Sequence, residues 1–133
     1  METSYFSLEE AQEVLPRVKY YLRKAMKLKK VLDLLNSIEI EYKDGYEFEE
    51  EGFTTQQKQF HKFSYDFYDA IEKLEEIGVV VKDLDEGLID FLSIFEGREI
   101  LLCYQFGETQ IEYWHEIEEG YPGRRHIAEL YAQ

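Results

Sequence analysis

The sequence predicts an α+β fold in which two long antiparallel helices, a helical hairpin, pack on a small C-terminal antiparallel β-meander. Two observations lead to this prediction. Apolar residues recur at spacings of three and four through much of the first 77 residues, which is the pattern of helices with one buried stripe. After residue 78, short apolar runs and alternating runs are separated by glycines, which is typical of strands and turns.

The first helix is predicted over residues 8–36. Ser7 and Glu10 have the spacing of a capping box, in which each side chain binds the other residue's backbone N–H. Pro16 lies inside the run and is expected to kink the helix or to fray its first two turns, because proline has no N–H to donate. Asn36 is the predicted stop.

Residues 38–50 change period, and two interpretations stay open. Apolar and charged residues alternate before and after Asp44-Gly45, a pair that favours a β-hairpin. The alternative is an acidic loop that joins the helices.

A second helix is predicted over residues 54–77, with Gly78 as its stop. Residues 79–117 are predicted as the meander and 118–133 as a Gly/Arg loop and tail. The predicted strands are the short run 79–81 and the segments 88–95, 99–106 and 110–117. No linker or internal repeat is visible, so the 133 residues are predicted to form one domain.

The formal charge of −14 argues against general nucleic-acid binding, because a polyanion would be repelled. Residues 17–30 nevertheless hold seven of the fifteen basic residues. This run is either a basic face for an acidic partner or a solvated helix face that pairs with the protein's own carboxylates. The interspersed charges, 33% of the chain, are similar to those of thermophile surfaces.

The expected location is the cytoplasm. The single cysteine, Cys103, has no partner for an internal disulfide. No apolar run approaches the ~20 residues that span a bilayer, and the N-terminus lacks the pattern of a signal peptide.

Side-chain alternation predicts the two faces of the sheet. Two-residue turns at Glu96-Gly97 and Gly107-Glu108 would place Asp90 opposite Cys103, and Cys103 opposite Glu112. The mixed face would then carry Asp90, Cys103, Gln105, Glu112, Trp114 and Glu116. The core face would carry Ile89, Phe91, Phe95, Ile100, Leu102, Tyr104, Phe106, Ile111, Tyr113 and His115.

His115 is therefore either a hydrogen-bonded core residue or a ligand at the edge of the sheet. Cys103 is a poor candidate nucleophile, because neighbouring carboxylates raise the pKa of a thiol. It is predicted to be a small buried apolar residue. No metal-binding spacing, phosphate loop or nucleophile motif is present in the sequence, so no metal site is predicted and no cofactor is named.

The segment 120–126 is a further candidate. Its glycines allow a ligand to approach the backbone, and Arg124 and Arg125 beside His126 would attract an anion. The alternative is a surface turn whose arginines pair with nearby glutamates.

The chain resembles a family of small bacterial and archaeal proteins filed as domain of unknown function 2203. The resemblance covers both ends of the chain. It is carried by Tyr5-Phe6-Ser7-Leu8-Glu9-Glu10-Ala11, Leu15-Pro16, Val81-Lys82-Asp83-Leu84, Gly87-Leu88-Ile89-Asp90-Phe91, Gly97-Arg98-Glu99, Leu102-Cys103-Tyr104, Gly107-Glu108, Tyr113-Trp114-His115-Glu116, Gly120 and Gly123-Arg124. It implies a domain that spans the whole chain, and it supplies no catalytic residues.

Two functions of different classes follow. The first is a binding or regulatory protein for a small anionic ligand or a protein partner. The alternative is a small metal- or acid/base-dependent enzyme in which His115 transfers the proton, Arg124 clamps an anion, and Asp90 and Glu108 line the same pocket. Homodimerisation through the long helices is also expected. The candidate ligand-binding residues are Asp83, Asp90, Glu108, His115, Glu116, Arg124, Arg125 and His126.

Overall fold

The computed structural model describes the backbone of residues 5–43 and 50–131, and the side chains of residues 5–37 and 54–131. Two long helices pack against each other and are followed by a five-stranded antiparallel sheet. The predicted α+β architecture of a helical hairpin and a C-terminal meander is confirmed. The elements are α1 (Leu8–Lys43), α2 (Glu50–Ile77), β1 (Val80–Asp83), β2 (Leu88–Phe95), β3 (Arg98–Gln105), β4 (Tyr113–Glu116), a 3₁₀ turn (Tyr121–Gly123), β5 (Arg125–His126) and α3 (Ala128–Tyr131).

The capping box at the start of α1 is confirmed. The Glu10 N–H donates to Ser7 Oγ at 3.0 Å, and the Ser7 N–H donates to Glu10 Oε1 at 3.1 Å. Two N–H groups that the first turn would leave unpaired are thereby satisfied. The helix continues through Pro16.

Neither interpretation of residues 38–50, a β-hairpin or an acidic loop, holds where the structure describes the segment. Residues 38–43 continue α1, and Glu50 begins α2; the Asp44-Gly45 pair lies outside the described residues. Asn36, the predicted stop, therefore does not end α1, and the Ser37 hydroxyl donates to the Asp33 carbonyl one turn earlier, at 3.1 Å. Glutamate and lysine are good helix formers, and in this segment their helix propensity opposes the strand-like alternation.

α2 begins earlier than predicted and ends at Ile77 as predicted. Gly78 terminates it with a φ of 105°. The Gly78 N–H donates to the carbonyls of Leu74 and Glu75 at 3.2 and 3.0 Å. This left-handed position favours glycine, because a Cβ would be strained there.

The sheet is a meander in the order β1-β2-β3-β4-β5. β5 was not predicted: Arg125 and His126 lie in the segment expected to be a loop, and they pair with Trp114 and Tyr113. β4 is also shorter than the predicted strand 110–117.

One face of the sheet, the core face, receives the helices. α1 contributes Ala11, Leu15, Val18 and Leu22 to a buried cluster whose other main members are Leu74, Ile89, Phe91, Ile100, Leu102, Tyr104, Ile111 and Trp114. We call the opposite face of the sheet the outer face, and the site described below lies on it. No helix within the described residues is both long and apolar enough to cross a membrane.

Candidate functional site

The register of β4 decides which side chains lie on the outer face. Cys103 pairs with Tyr113, not with Glu112. A shift of one residue moves every side chain of a strand to the opposite face. The predicted faces of β4 are therefore wrong: Trp114 packs in the core, and His115 lies on the outer face.

The cause of the shift is the connection between β3 and β4. It is a loop over residues 106–112 and not the predicted two-residue turn. Gln12 of α1 holds this loop, because its side-chain amide donates to the Ile111 carbonyl and accepts from the Ile111 N–H, both at 3.1 Å. Ile111 is fully buried. Burial of Ile111 and the hydrogen bonds from Gln12 thus set where β4 begins.

Three polar or ionisable side chains meet on the outer face. The predicted pairing of Asp90 on β2 with Cys103 on β3 is confirmed, and His115 lies on the next strand. His115 Nε2 is 3.2 Å from Asp90 Oδ1. Each of the three residues is only 2% exposed. One carboxylate oxygen, the cysteine sulfur and one imidazole nitrogen lie within 4.8 Å of one another.

Both ring nitrogens of His115 face acceptors. Nδ1 lies 2.8 Å from the Glu116 carbonyl oxygen, and Nε2 lies 3.2 Å from Asp90 Oδ1. A neutral ring carries one proton and can donate to only one of these oxygens. In the tautomer with the proton on Nδ1, the lone pair of Nε2 faces the Asp90 carboxylate, and a proton or another cation is needed between these two acceptors.

Asp90 has a second oxygen with a different environment. Oδ2 is buried and has no hydrogen-bond partner among the described residues. A buried polar atom left unpaired costs ~1–3 kcal/mol. Such an atom indicates a place where a ligand can donate a hydrogen bond or bring positive charge.

Cys103 is a protonated thiol under ordinary conditions. Burial, together with the negative charge of Asp90, raises the pKa of the Cys103 thiol to about 12, although Arg124 opposes the shift. The prediction that Cys103 is small, buried and unreactive agrees with this environment. A metal ion could still displace the proton, because metals bind the thiolate.

A cavity of about 120 Å³ adjoins these three side chains. We call it the outer-face cavity. β1 and β2 form one side of it, and the segment 119–121, which leads into the 3₁₀ turn, forms another. Its lining consists of Lys82, Leu88, Asp90, Cys103, His115, Glu119, Gly120 and Tyr121.

Arg124 lies beside this cavity among polar and aromatic side chains. Its Nη2 donates to Glu108 Oε1 at 2.6 Å and to the Cys103 carbonyl at 3.4 Å. The guanidinium carbon lies 4.1 Å from the ring centroid of Tyr113 and 4.9 Å from that of Tyr121. Burial acts to lower the pKa of Arg124, but the hydrogen bond with Glu108, the nearby Cys103 and the charge of Glu108 together raise that pKa above its ordinary value. The cation thus ties the 3₁₀ segment to β3.

The remaining candidates do not join Asp90 and His115. Asp83 accepts hydrogen bonds from the backbone N–H groups of Asp85 and Glu86 and so shapes the β1–β2 turn. Glu116 pairs with Arg98 at 3.0 Å, on the opposite face from His115.

Two more candidates form β5, the last strand of the sheet. Arg125 pairs with Glu119 at 3.1 Å. His126 is exposed, and its Nδ1 accepts from the Ala128 N–H at 3.1 Å.

Three residues that line the cavity, Lys82, Leu88 and Glu119, were not among the candidates from the sequence, and Cys103 was rejected as a nucleophile. Lys82 alternates with β1 residues of the core side, and Leu88 alternates with Ile89 on β2, so strand parity could have placed both. Glu119 precedes the 3₁₀ turn, and no periodicity signals its position. Gly120 and Tyr121 belong to the candidate segment 120–126 and do line the cavity.

A comparison with protein-family models gives one match: the family described as "Uncharacterized conserved protein (DUF2203)" covers residues 4–127. Neither the curated proteins nor the solved structures searched contain a match to the chain. The expected resemblance is thereby confirmed over nearly the whole sequence. The chain belongs to the DUF2203 family of uncharacterized conserved proteins.

Proposed function

We propose that the protein is a binding module that holds a small polar ligand in the outer-face cavity. The observation that carries this proposal is the buried Asp90 Oδ2, which has no partner among the described residues, on a side chain that lines the cavity. A ligand that donates a hydrogen bond or carries positive charge would recover the cost of that unpaired oxygen.

The volume of the cavity limits the ligand. Its volume of about 120 Å³ is well below the ~300–1,000 Å³ of pockets that take drug-sized ligands. Tyr121 and Lys82 are exposed residues of the lining and can contact a ligand that protrudes. The ligand is therefore an ion or a molecule with few non-hydrogen atoms.

An NMR titration tests the proposal. Methylammonium and guanidinium, added to ¹⁵N-labelled protein, are expected to shift the amide signals of β2, β3 and β4 around Asp90, Cys103 and His115. Asp90→Asn should weaken the response, because it removes the negative charge and keeps the shape. Shifts that are equally large in this variant, or shifts confined to surface glutamates, would contradict the proposal.

An anionic ligand has a separate candidate position in a cleft of about 580 Å³ between α1 and the β3–β4 loop. Lys19 and Arg23 line it together with Tyr20 and Phe106. Arg23 makes no ion pair within the described residues. Inorganic phosphate in the same titration should shift signals around Arg23; Arg23→Gln should abolish the response. No response to phosphate would remove this candidate.

The alternative function is acid/base catalysis, and the 3.2 Å contact between His115 Nε2 and Asp90 Oδ1 favours it. Both nitrogens of His115 contact acceptors of the protein itself, so Asp90 and not His115 would exchange a proton with a substrate. Loss of turnover on a small polar substrate in Asp90→Asn, with ligand binding retained, would distinguish catalysis from binding.

Two wider expectations remain predictions. One is a cytoplasmic location. The other is a homodimer through the long helices, and large exposed side chains on those helices (Tyr20, Leu34, Tyr65 and Tyr68) support it. Sedimentation equilibrium of the wild type and of Tyr65→Glu/Tyr68→Glu tests the dimer, which the double variant should dissociate.

A further inference from the structure

We infer that Asp90, Cys103 and His115 form a binding site for a divalent transition-metal ion of the zinc type at the outer-face cavity. This inference rests on the proposed function, because it names the ligand that the cavity takes. It departs from the expectation of no metal site, which was based on spacing along the sequence. The three residues are brought together by the register of three adjacent strands.

The orientation of the His115 ring suits a metal ligand. With Nδ1 of His115 donating to the Glu116 carbonyl at 2.8 Å, Nε2 presents its lone pair to Asp90 Oδ1 at 3.2 Å. Metal-binding histidines commonly donate their second N–H to a backbone carbonyl in this way, which fixes the ring and raises its basicity. A cation beside both acceptors satisfies them together.

The separation of His115 Nε2 and Asp90 Oδ1 also fits a bound zinc ion. Two nitrogen or oxygen ligands at ~2.0–2.1 Å from a tetrahedral zinc are about 3.3 Å apart. The 3.2 Å between Nε2 and Oδ1 matches this separation. A sulfur ligand at ~2.3 Å lies about 3.5 Å from the other two, and Cys103 Sγ already lies within 4.8 Å of both.

The types of ligand atom in Asp90, Cys103 and His115 select for a transition metal. One carboxylate oxygen, one sulfur and one imidazole nitrogen suit zinc and related ions, whereas Mg²⁺ and Ca²⁺ prefer oxygen ligands only. The ionised carboxylate and thiolate together carry two negative charges, which neutralise a divalent ion in this buried place. The unpaired Asp90 Oδ2 is available for a second bond to the metal or to a metal-bound water.

Three protein ligands leave a fourth tetrahedral position. The side chains that hold the metal also line the cavity, so water or a small ligand can occupy that position. An open position of this kind distinguishes catalytic and ligand-exchanging zinc sites from closed structural ones.

Cobalt(II) spectroscopy of untagged protein tests the inference. Co²⁺ should bind with a stoichiometry of one and give intense visible bands of a tetrahedral site, together with a near-ultraviolet charge-transfer band from a thiolate. Because Cys103 is the only cysteine, that band can come from no other residue. Zn²⁺ should displace Co²⁺ and remove both bands, whereas excess Mg²⁺ should not.

Variants complete the test. Cys103→Ala should abolish the charge-transfer band, and Asp90→Asn or His115→Gln should weaken Co²⁺ binding at least tenfold. His126→Gln, which alters an exposed histidine, should bind as the wild type does. Circular dichroism of each variant shows that it is folded, and a variant that fails this check is replaced by Cys103→Ser or His115→Asn.

Two results would overturn the inference: only weak octahedral Co²⁺ bands, or binding that survives Cys103→Ala unchanged. If methylammonium still shifts the signals around Asp90 in that case, the proposed binding function stands and only the metal assignment falls. If neither probe affects these residues, both fail.

Discussion

His115 Nε2 lies 3.2 Å from Asp90 Oδ1, and both side chains are almost completely buried. When Nδ1 of the same neutral ring donates to the Glu116 carbonyl, the 3.2 Å distance separates two acceptors. A proton or a metal ion must lie between them. The chemistry of the outer-face cavity depends on which of the two is present.

The tautomers of two histidines should differ. Nδ1 of neutral His115 is protonated, because it donates to Glu116, whereas neutral His126 should be protonated on Nε2, because its Nδ1 accepts from the Ala128 N–H. Long-range ¹H–¹⁵N spectra of the imidazole rings measure this directly. His126 is the internal control. A His115 ring protonated only on Nε2 would contradict the assignment.

The buried polar pair is expected to cost stability in the metal-free protein. Replacing both members by apolar residues, Asp90→Leu/His115→Leu, should raise the unfolding free energy by ~1–4 kcal/mol, because the desolvation of the pair is removed. Either single leucine variant should lower it by ~3–5 kcal/mol, because the remaining partner is left unpaired. Urea denaturation with EDTA present measures the three variants. A double variant less stable than both single ones would instead assign the pair a structural role.

Trp114 and not His115 should provide the packing energy of β4. Trp114 is 4% exposed within the core cluster. Trp114→Ala should therefore lower the unfolding free energy by ~3–5 kcal/mol. The neighbouring Ile117 is exposed, so Ile117→Ala should change it by no more than ~0.5 kcal/mol. Equal effects in urea denaturation would mean that the register of β4 is wrong.

Cys103 should react slowly with iodoacetamide in metal-free protein. Burial raises the pKa of its thiol to about 12, so at pH 8 nearly all of it is protonated and the reactive thiolate is scarce. Mass spectrometry of the native protein should show little alkylation under conditions that modify the guanidinium-unfolded chain completely. Similar rates in the two states would show that the thiol is accessible and ionised.

Features that depend on a few neighbouring residues could be predicted from the sequence. The Ser7–Glu10 capping box and the Gly78 stop are examples, since each is fixed by the chemistry of one helix end. The pairing of Asp90 with Cys103 was also predicted, because a tight turn joins β2 to β3.

Features that depend on distant contacts could not be predicted. The faces of Trp114 and His115 are set by the loop that Gln12 holds through Ile111, about one hundred residues away in the chain. Sequence parity cannot reveal the length of such a loop. The prediction for residues 38–43 failed for another reason: the alternating pattern favoured strands and Asn36 favoured a helix end, whereas α1 continues through both to Lys43.

The most direct test of the site is a crystal structure of the untagged protein grown with Zn²⁺, with diffraction data collected above and below the zinc absorption edge. We expect one anomalous peak on the outer face, about 2.0–2.3 Å from Asp90 Oδ1, Cys103 Sγ and His115 Nε2, with a further ligand on the cavity side. Anomalous peaks only at surface carboxylates, with Asp90 and His115 still sharing a proton, would contradict it.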